Sequence, residues 1–435
     1  MQPTAKSSTG KSSINQYSSG QKTMIHEAQK SQGLSSQSIM ATYQRFPLTL
    51  VKGEGSYVWD DEGQSYLDFS AGIGTCNLGH VPPFVKEAVE VQLQSLWHCS
   101  NLYHIPQQEQ LAKKLTAHTL FDQVFFCNSG AEANEAAIKL ARKYGHTHKG
   151  SQATDIVTFQ HSFHGRTMAT LSATGQQKVK EGFDPLLPGF QTLPYNDEAA
   201  LKEVKPEQTC AVFLEMVQGE GGVIPVDPSW LQALQAMCRE HDILLIIDEI
   251  QTGMGRTGHL FAYEHVDLQP DVITVAKGLG SGFPIGALLA KDEVAQVFQP
   301  GSHGSTFGGN PVACAAGLAT LETMLEPAFL PQVREKATYL HDRLNQWIQT
   351  ESDRGRPYFK LRGLGLMLGI VVTPFENEQG QQVNATALIK YMRAQHILVL
   401  PAGTNVVRLL PPLTVTYDEI DQLIRGLEQW EGSET

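Results

Sequence analysis

The 435-residue chain has no apolar run near the ~18–20 residues that a membrane-crossing helix needs. It also lacks a positive balance of charge. The 33 Lys and Arg face 45 Asp and Glu, a formal net charge of −12, which argues against a general nucleic-acid or anionic-membrane surface. Cysteines are few: six, at positions 76, 99, 127, 210, 238 and 314, with no C-x-x-C pair and several inside apolar runs. That scatter fits buried thiols in a reducing compartment, not a disulfide framework or a zinc site, and no metal is expected. Residues 1–38 have almost no large apolar side chains and are rich in Ser, Gln and Gly. They cannot bury enough surface to offset the entropy of ordering, so a disordered tail is expected. Lys6, Lys11 and Lys22, with no acid before Glu27, are also how a transit peptide is composed, although arginine and a cleavage mark are missing. The expected location is the cytoplasm, or a plastid if the tail is such a peptide.

What is present is a large apolar fraction, 41%, enough for a big core and more than one domain. Phe46–Val51, Ser56–Trp59 and Ser65–Phe69 read as strands, with Asp60-Asp61-Glu62-Gly63 as a turn; Pro83–Trp97 and Gln107–His118 read as helices. From Gln123 onward, apolar runs alternate with helical stretches: Val124–Cys127, Ile156–Phe159, Ala211–Leu214, Ile243–Ile247, Val272–Ala276 and Ile285–Ala290, with a helix at Ser229–Glu240. Runs this apolar between helices predict an α/β fold with a largely parallel sheet covered on both faces. Beyond residue 325 the pattern becomes α+β. Leu330–Glu351 and Ala385–Gln395 read as helices, Lys360–Val372, Ile397–Leu400 and Val406–Leu410 as strands, and Thr416-Tyr-Asp-Glu419 as a capping box. The expected division is 39–80 contributing to a small domain, 81–325 a large domain, and 326–435 the rest of the small one.

In open α/β sheets, ligands gather at the carboxyl ends of the strands, and five polar stretches stand there. Lys277 follows Val272–Ala276 and precedes glycines. Desolvation would lower its pKa and suit it as an amine nucleophile, unless it simply snorkels to the surface. Asn128-Ser-Gly-Ala-Glu-Ala-Asn134 opens a helix and can take a phosphate on free N–H groups, or be an ordinary turn. In Gln160-His-Ser-Phe-His-Gly-Arg-Thr167, Phe163 can lie on a flat ring and Arg166 can fork a carboxylate, or they are a core Phe and a surface Arg. Glu215-Met-Val-Gln-Gly-Glu-Gly-Gly222 puts acids at both ends of a turn, functional or merely solvated. Asp248 ends a fully apolar run, so it is deeply placed and needs a donor or cation, whether in a site or a structural ion pair. A lysine, a buried aspartate, a phosphate-accepting helix start and an aromatic are together what pyridoxal phosphate requires.

The stretches Phe126–Arg142, Phe163–Thr167, Val217–Gly222, Asp248–Gly258 and His303–Pro311 resemble the class III aminotransferases of pyridoxal phosphate fold type I, over about Met40 to Trp430. The resemblance implies that Lys277 holds the cofactor as a Schiff base and Asp248 partners its ring nitrogen. Ser129, Gly130 and Ala131 would serve the phosphate, Phe163 would stack on the ring, and Gln251 would lie near its hydroxyl. Thr306, with Ser305 beside it, would reach the neighbouring subunit's cofactor, making a homodimer with shared sites. Arg166 would take the substrate α-carboxylate. Arg408 would take a second carboxylate, gated by Glu220. Met216 stands where the family often has proline, and Val81-Pro82 where it often has His-Pro. His164 is similar to the acetylornithine-using members, whereas ornithine-using ones tend to tryptophan there. The implied reaction is ping-pong transfer of an amino group from a donor such as acetylornithine to 2-oxoglutarate; ornithine, succinylornithine and γ-aminobutyrate remain alternative donors. A mutase on the same scaffold and a non-catalytic cofactor-binding protein are the other readings.

Overall fold

The alternation of apolar runs and helices builds a seven-stranded sheet. The computed structural model describes residues 38–377, 380 and 382–432, so the expected tail, apart from Ser38, lies outside the described residues. The strands are β1 (Gln123–Cys127), β2 (Asp155–Phe159), β3 (Phe190–Leu193), β4 (Thr209–Glu215), β5 (Leu244–Asp248), β6 (Val272–Val275) and β7 (Gly286–Ala290). Their order is β1-β7-β6-β5-β4-β2-β3. β7 is antiparallel to both its neighbours, and all other neighbours pair in parallel. The largely parallel α/β sheet is therefore as expected, with one reversed strand. The edge strand β3 was not expected. Its four residues include Gln191 and Thr192 and only Leu193 is fully buried, so it carries little of the apolar signal that marks the central strands.

Both faces of the sheet are buried, as near-continuous apolar strands require. On one face Ile156, Ala211, Phe213, Leu244, Ile246, Val272 and Leu288 pack under helix α1 (Gly130–His148) through Ala136, Ala137, Leu140 and Ala141. On the other, Val157, Val212, Leu214, Leu245, Ile247 and Ile273 pack with Trp230, Leu231 and Leu234 of helix α2 (Pro228–Glu240). α2 starts one residue earlier than its apolar pattern suggests. Pro228 is preorganised for the first helical position, and Asp227 caps the N–H groups of Ser229 and Trp230 at 2.9 and 3.0 Å.

The C-terminal region differs from its sequence reading at one point. Lys360–Val372 is not one strand but a hairpin, β8 (Phe359–Leu364) and β9 (Met367–Val372). Gly365 turns the chain at φ +59°, where a Cβ would lie 2.5 Å from the Thr257 backbone, so only glycine serves. With β10 (Leu400–Ala402) and β11 (Val406–Leu409) the hairpin forms a sheet in the order β8-β9-β11-β10. The expected strand Ile397–Leu400 is likewise split: Ile397 and Leu398 pair in parallel with Leu67 and Asp68, and Leu400 opens β10. The capping box is present. Thr416 Oγ1 accepts from Glu419 N at 3.2 Å, and Glu419 Oε2 accepts from Thr416 N at 2.7 Å.

These elements belong to one compact unit, of residues 53–57 and 66 onward. The described residues 38–52 and 58–65 belong to a second. Within it the expected turn forms on Asp60, whose Oδ1 accepts from Glu62 N and Gln64 N at 3.1 and 2.8 Å. Among the described residues no helix is long and apolar enough to cross a membrane.

One buried acid makes the fold pH-dependent. Glu249 is fully buried and accepts from Thr252 Oγ1 and Tyr263 N. Burial pushes its pKa up from 4.5 to about 7. Its folded-state pKa thus lies above the unfolded one, so its contribution to stability is full below pH ~4.5 and lost as pH rises through ~7. Across that window wild type should lose on the order of 3 kcal/mol relative to Glu249→Gln. Urea titrations of both proteins at pH 5 and 8 check this; parallel pH slopes would refute it.

Candidate active site

A cavity of about 440 Å³ opens at the carboxyl ends of the central strands, lined among others by Ser129, Gly130, Ala131, Phe163, Arg166, Glu220, Asp248, Gln251 and Lys277. Four of the five stretches singled out in the sequence supply those residues from strand ends, and Glu220 comes from the turn after β4.

Strand parity sets the depth and direction of the acids. Asp248 shares its face with Leu244 and Ile246, so it points towards α1. There Oδ2 accepts from Asn134 Nδ2 at 2.9 Å and from His164 Nδ1 at 2.8 Å, and Oδ1 accepts from Ile250 N at 3.1 Å. His164 is itself held flat on Phe213, ring centroids 4.2 Å apart at 16°. Glu215 is the register partner of Asp248 on the neighbouring strand and faces the same way. It is 6% exposed, so it is not a solvated loop acid. Its two oxygens accept from Phe163 N at 3.0 Å and Gly219 N at 3.3 Å, tying the Phe163 loop to the glycine turn. Burial, then the charge of Asp248, pushes the Glu215 pKa well above the usual carboxylate range.

Lys277 follows β6 at φ +41°, a left-handed conformation that costs a non-glycine residue about 1 kcal/mol or more and is found where surrounding structure enforces it. The next residue has no room for a side chain: a Cβ on Gly278 would lie 2.2 Å from Asn77 Nδ2, which donates to Met254 O at 2.6 Å. Burial lowers the Lys277 pKa to about 8. The Arg408 charge adds to this, and Glu220, Asp248 and Glu215 oppose it. Lys277 is half-buried and lines the cavity, so it does not snorkel to the surface.

At the other end, Ser129 caps α1 by accepting from Glu132 N at 3.2 Å. The first N–H groups of a helix have no partner within it. Those of Gly130 and Ala131 stand at the positive end of the α1 dipole, on the cavity wall. This end suits a phosphate, Asp248 suits a protonated ring nitrogen, and Lys277 suits a carbonyl carbon. The donor set fits pyridoxal phosphate at all three points.

Arg408, only 2% exposed, projects from β11. Its Nη1 donates to Glu220 Oε1 at 2.6 Å and to Gln251 Oε1 at 3.2 Å, and its Nε has no partner among the described residues. Arg166 is exposed, its guanidinium carbon 5.6 Å from the centroid of the Phe163 ring. Ser305 and Thr306 do not line this cavity. Ser305 Oγ accepts from Gly308 N and Asn128 Nδ2 at 2.9 and 3.2 Å, and Thr306 is exposed. The sequence reading missed Asn134 and Glu215 as site residues and gave His164 only a substrate preference. Glu215 carried the same signature as Asp248, an acid ending an apolar run. Asn134 carried none, because its role depends on which face of the sheet α1 covers.

The family model for class III aminotransferases matches residues 39–430. The acetylornithine aminotransferase of Oceanobacillus iheyensis is 53% identical over 395 residues, 91% of this chain and 96% of that protein. The one from Bacillus subtilis is 51% identical over 394 residues, 90% and 97% of the two chains. Among solved structures, the ornithine aminotransferase from Toxoplasma gondii ME49 aligns with a TM-score of 0.84 at 30% identity, over 91% of this chain and 92% of that one. The N-acetylornithine aminotransferase from Stenotrophomonas maltophilia K279a aligns at 0.74 with 36% identity, over 89% and 95%. With the lysine, the buried aspartate and the helix start assembled at one cavity, the chain belongs to the class III aminotransferases, pyridoxal-phosphate enzymes of α/β fold type I.

Proposed function

We propose that the chain moves the δ-amino group of N2-acetylornithine to 2-oxoglutarate, giving N-acetylglutamate 5-semialdehyde and glutamate, as a cytoplasmic step of arginine biosynthesis. The relatives named acetylornithine aminotransferase support the donor. The observation that carries the reading is the Glu220–Arg408 ion pair at the cavity. A donor without a side-chain carboxylate leaves Arg408 with Glu220. 2-Oxoglutarate has two carboxylates, one for Arg166 and one for Arg408 once Glu220 withdraws.

Pyridoxal phosphate, when bound, supplies the electron sink for carbanion chemistry at the donor carbon. The chain does the rest. Gly130 and Ala131 N–H groups and the end of α1 would hold the phosphate, with Ser129 adding a hydroxyl. Phe163 would serve as the ring's stacking partner and Gln251 as the residue for its hydroxyl. Asp248 holds a proton at the ring nitrogen. Lys277 Nζ, as a neutral amine, would be the group that takes the proton from the donor carbon and gives it back. The acceptor half repeats these steps in reverse.

The active unit is inferred to be a homodimer, with Thr306 and Ser305 serving the partner's site. Trp97, Leu102, Tyr103 and Phe307 are all more than half exposed, and the His98 ring lies 5.2 Å from that of Phe307. The last of these adjoins Thr306, and Asn101 Nδ2 donates to Ser305 O and Gly308 O at 3.0 and 2.9 Å. A patch of exposed aromatic and leucine side chains beside the site suits a second copy. The functional division is inferred to be 81–325 for the cofactor, with 39–80 and 326–435 forming the smaller domain.

A donor panel with 2-oxoglutarate tests the reading. N-Acetylornithine should exceed ornithine, succinylornithine and γ-aminobutyrate in kcat/KM by about tenfold or more. A higher value for any of those three overturns the donor.

A further inference from the structure

The glycine turn that carries Glu220 is seated on the C-terminal sheet by residues outside the cavity. In the register of that sheet Arg362 on β8 faces Gly369 on β9, and Gly369 faces Arg408 on β11. Residues opposite one another in an antiparallel sheet project from the same face. The two arginines therefore stand on one face with a glycine between them. Gly369 leaves a slot: a Cβ there would lie 3.0 Å from Val223 Cβ and 2.8 Å from Val406 Cγ1. Val223, fully buried, lies over this slot. On one side of it Arg362 Nε donates to Gly222 O at 2.7 Å, and on the other Arg408 meets Glu220. Gly222 must itself be glycine. It has φ +114°, and a Cβ would lie 2.6 Å from Arg362 Nη2. Gly403 N adds a bond to Glu220 O at 2.9 Å. The backbone of the turn is thus fastened to the sheet, whereas the Glu220 side chain, 34% exposed, is held among the described residues only by Arg408.

We propose that Arg362 is a positioning residue for substrate alternation: it anchors the base of the 219–223 turn, so that only the Glu220 side chain moves when the two substrates take turns. The inference rests on the reading of Glu220 and Arg408 as a gate. Without the anchor the turn drifts, Glu220 meets Arg408 less often, and a lone buried guanidinium opposes a donor that brings no second carboxylate. A dicarboxylate supplies its own partner for Arg408 and is affected little.

The test uses the holoenzyme and reads each half-reaction separately in single turnovers, from the cofactor's visible absorbance. Arg362→Met keeps the aliphatic stem and removes the donor. It is expected to lower the N-acetylornithine half-reaction on the order of tenfold, the scale of one charged hydrogen bond, with the glutamate half-reaction changed less than about twofold. Arg362→Lys keeps a donor on a flexible stem and should fall between wild type and Met. If the Met variant does not fold, the Lys variant decides by the same ratio. Equal loss in both half-reactions, or no loss in either, overturns the inference. Glu220→Gln run in parallel separates the two readings. If it leaves the ratio of half-reactions unchanged, the gate itself fails. If it shifts the ratio and Arg362→Met does not, only the anchoring role fails.

Discussion

Lys277→Ala is expected to lower kcat by about 10⁴-fold or more and to abolish borohydride-stable attachment of the cofactor. In the proposed mechanism the substitution removes one amine with two tasks, joining the cofactor and moving the proton, and general acid–base catalysis alone is worth ~10²–10⁴-fold. The side chain is singled out by its state. With its pKa lowered to about 8, roughly a quarter of the amine is neutral at pH 7.5, against ~0.1% for an ordinary lysine. Burial is the larger cause and the Arg408 charge the second. Capture of added pyridoxal phosphate by the apoenzyme should therefore rise about tenfold per pH unit below pH 8 and level off above it. Arg408→Met removes a cation and should move that midpoint upward. A Lys277→Ala enzyme that keeps the wild-type rate, or a capture rate flat in pH, would overturn the assignment.

Much of this site was legible in the sequence because depth leaves a mark. An apolar run that ends in a carboxylate or an amine forces that group to the edge of a buried sheet, and Asp248 and Lys277 both carry the mark. Glu215 carries it too, but the glycine turn behind it also suits a solvated loop. Only its register opposite Asp248 and its bonds to Phe163 and Gly219 distinguish the two. Asn134 sits one turn inside α1, and nothing in the order of residues says that this turn covers the carboxyl end of β5. The hairpin at Gly365 was hidden because Leu364 and Leu366 continue the apolar pattern through the turn. Thr306 belongs to a different case, since its expected task lies on another subunit. The Arg362–Gly369–Arg408 row needs the pairing of three strands from β8 to β11, and no spacing in the sequence encodes it.

Asp248→Asn is expected to cost about 10³-fold in kcat with the fold intact. The side chain keeps its shape. The amide oxygen can replace Oδ2 and accept from Asn134 Nδ2 and His164 Nδ1, as Oδ2 does now. The amide nitrogen then faces Ile250 N, where Oδ1 had accepted. One lost backbone bond should lower stability by about 1–2 kcal/mol, a small shift in Tm. What disappears is the charge. A neutral amide cannot hold a proton on a ring nitrogen, so charge stabilisation at the reacting carbon is lost, an effect of ~10²–10³-fold or more in a water-excluded site. Asn134→Ala separates charge from orientation. It leaves the carboxylate in place with His164 still bonded to it, so only about tenfold should be lost. Steady-state kcat beside circular dichroism and Tm for the two variants decides. If Asp248→Asn turns over near the wild-type rate, Asp248 is a structural acid and the ring-nitrogen role is wrong. If Asn134→Ala falls as far as Asp248→Asn, the aspartate acts through its orientation and its charge alone is not enough.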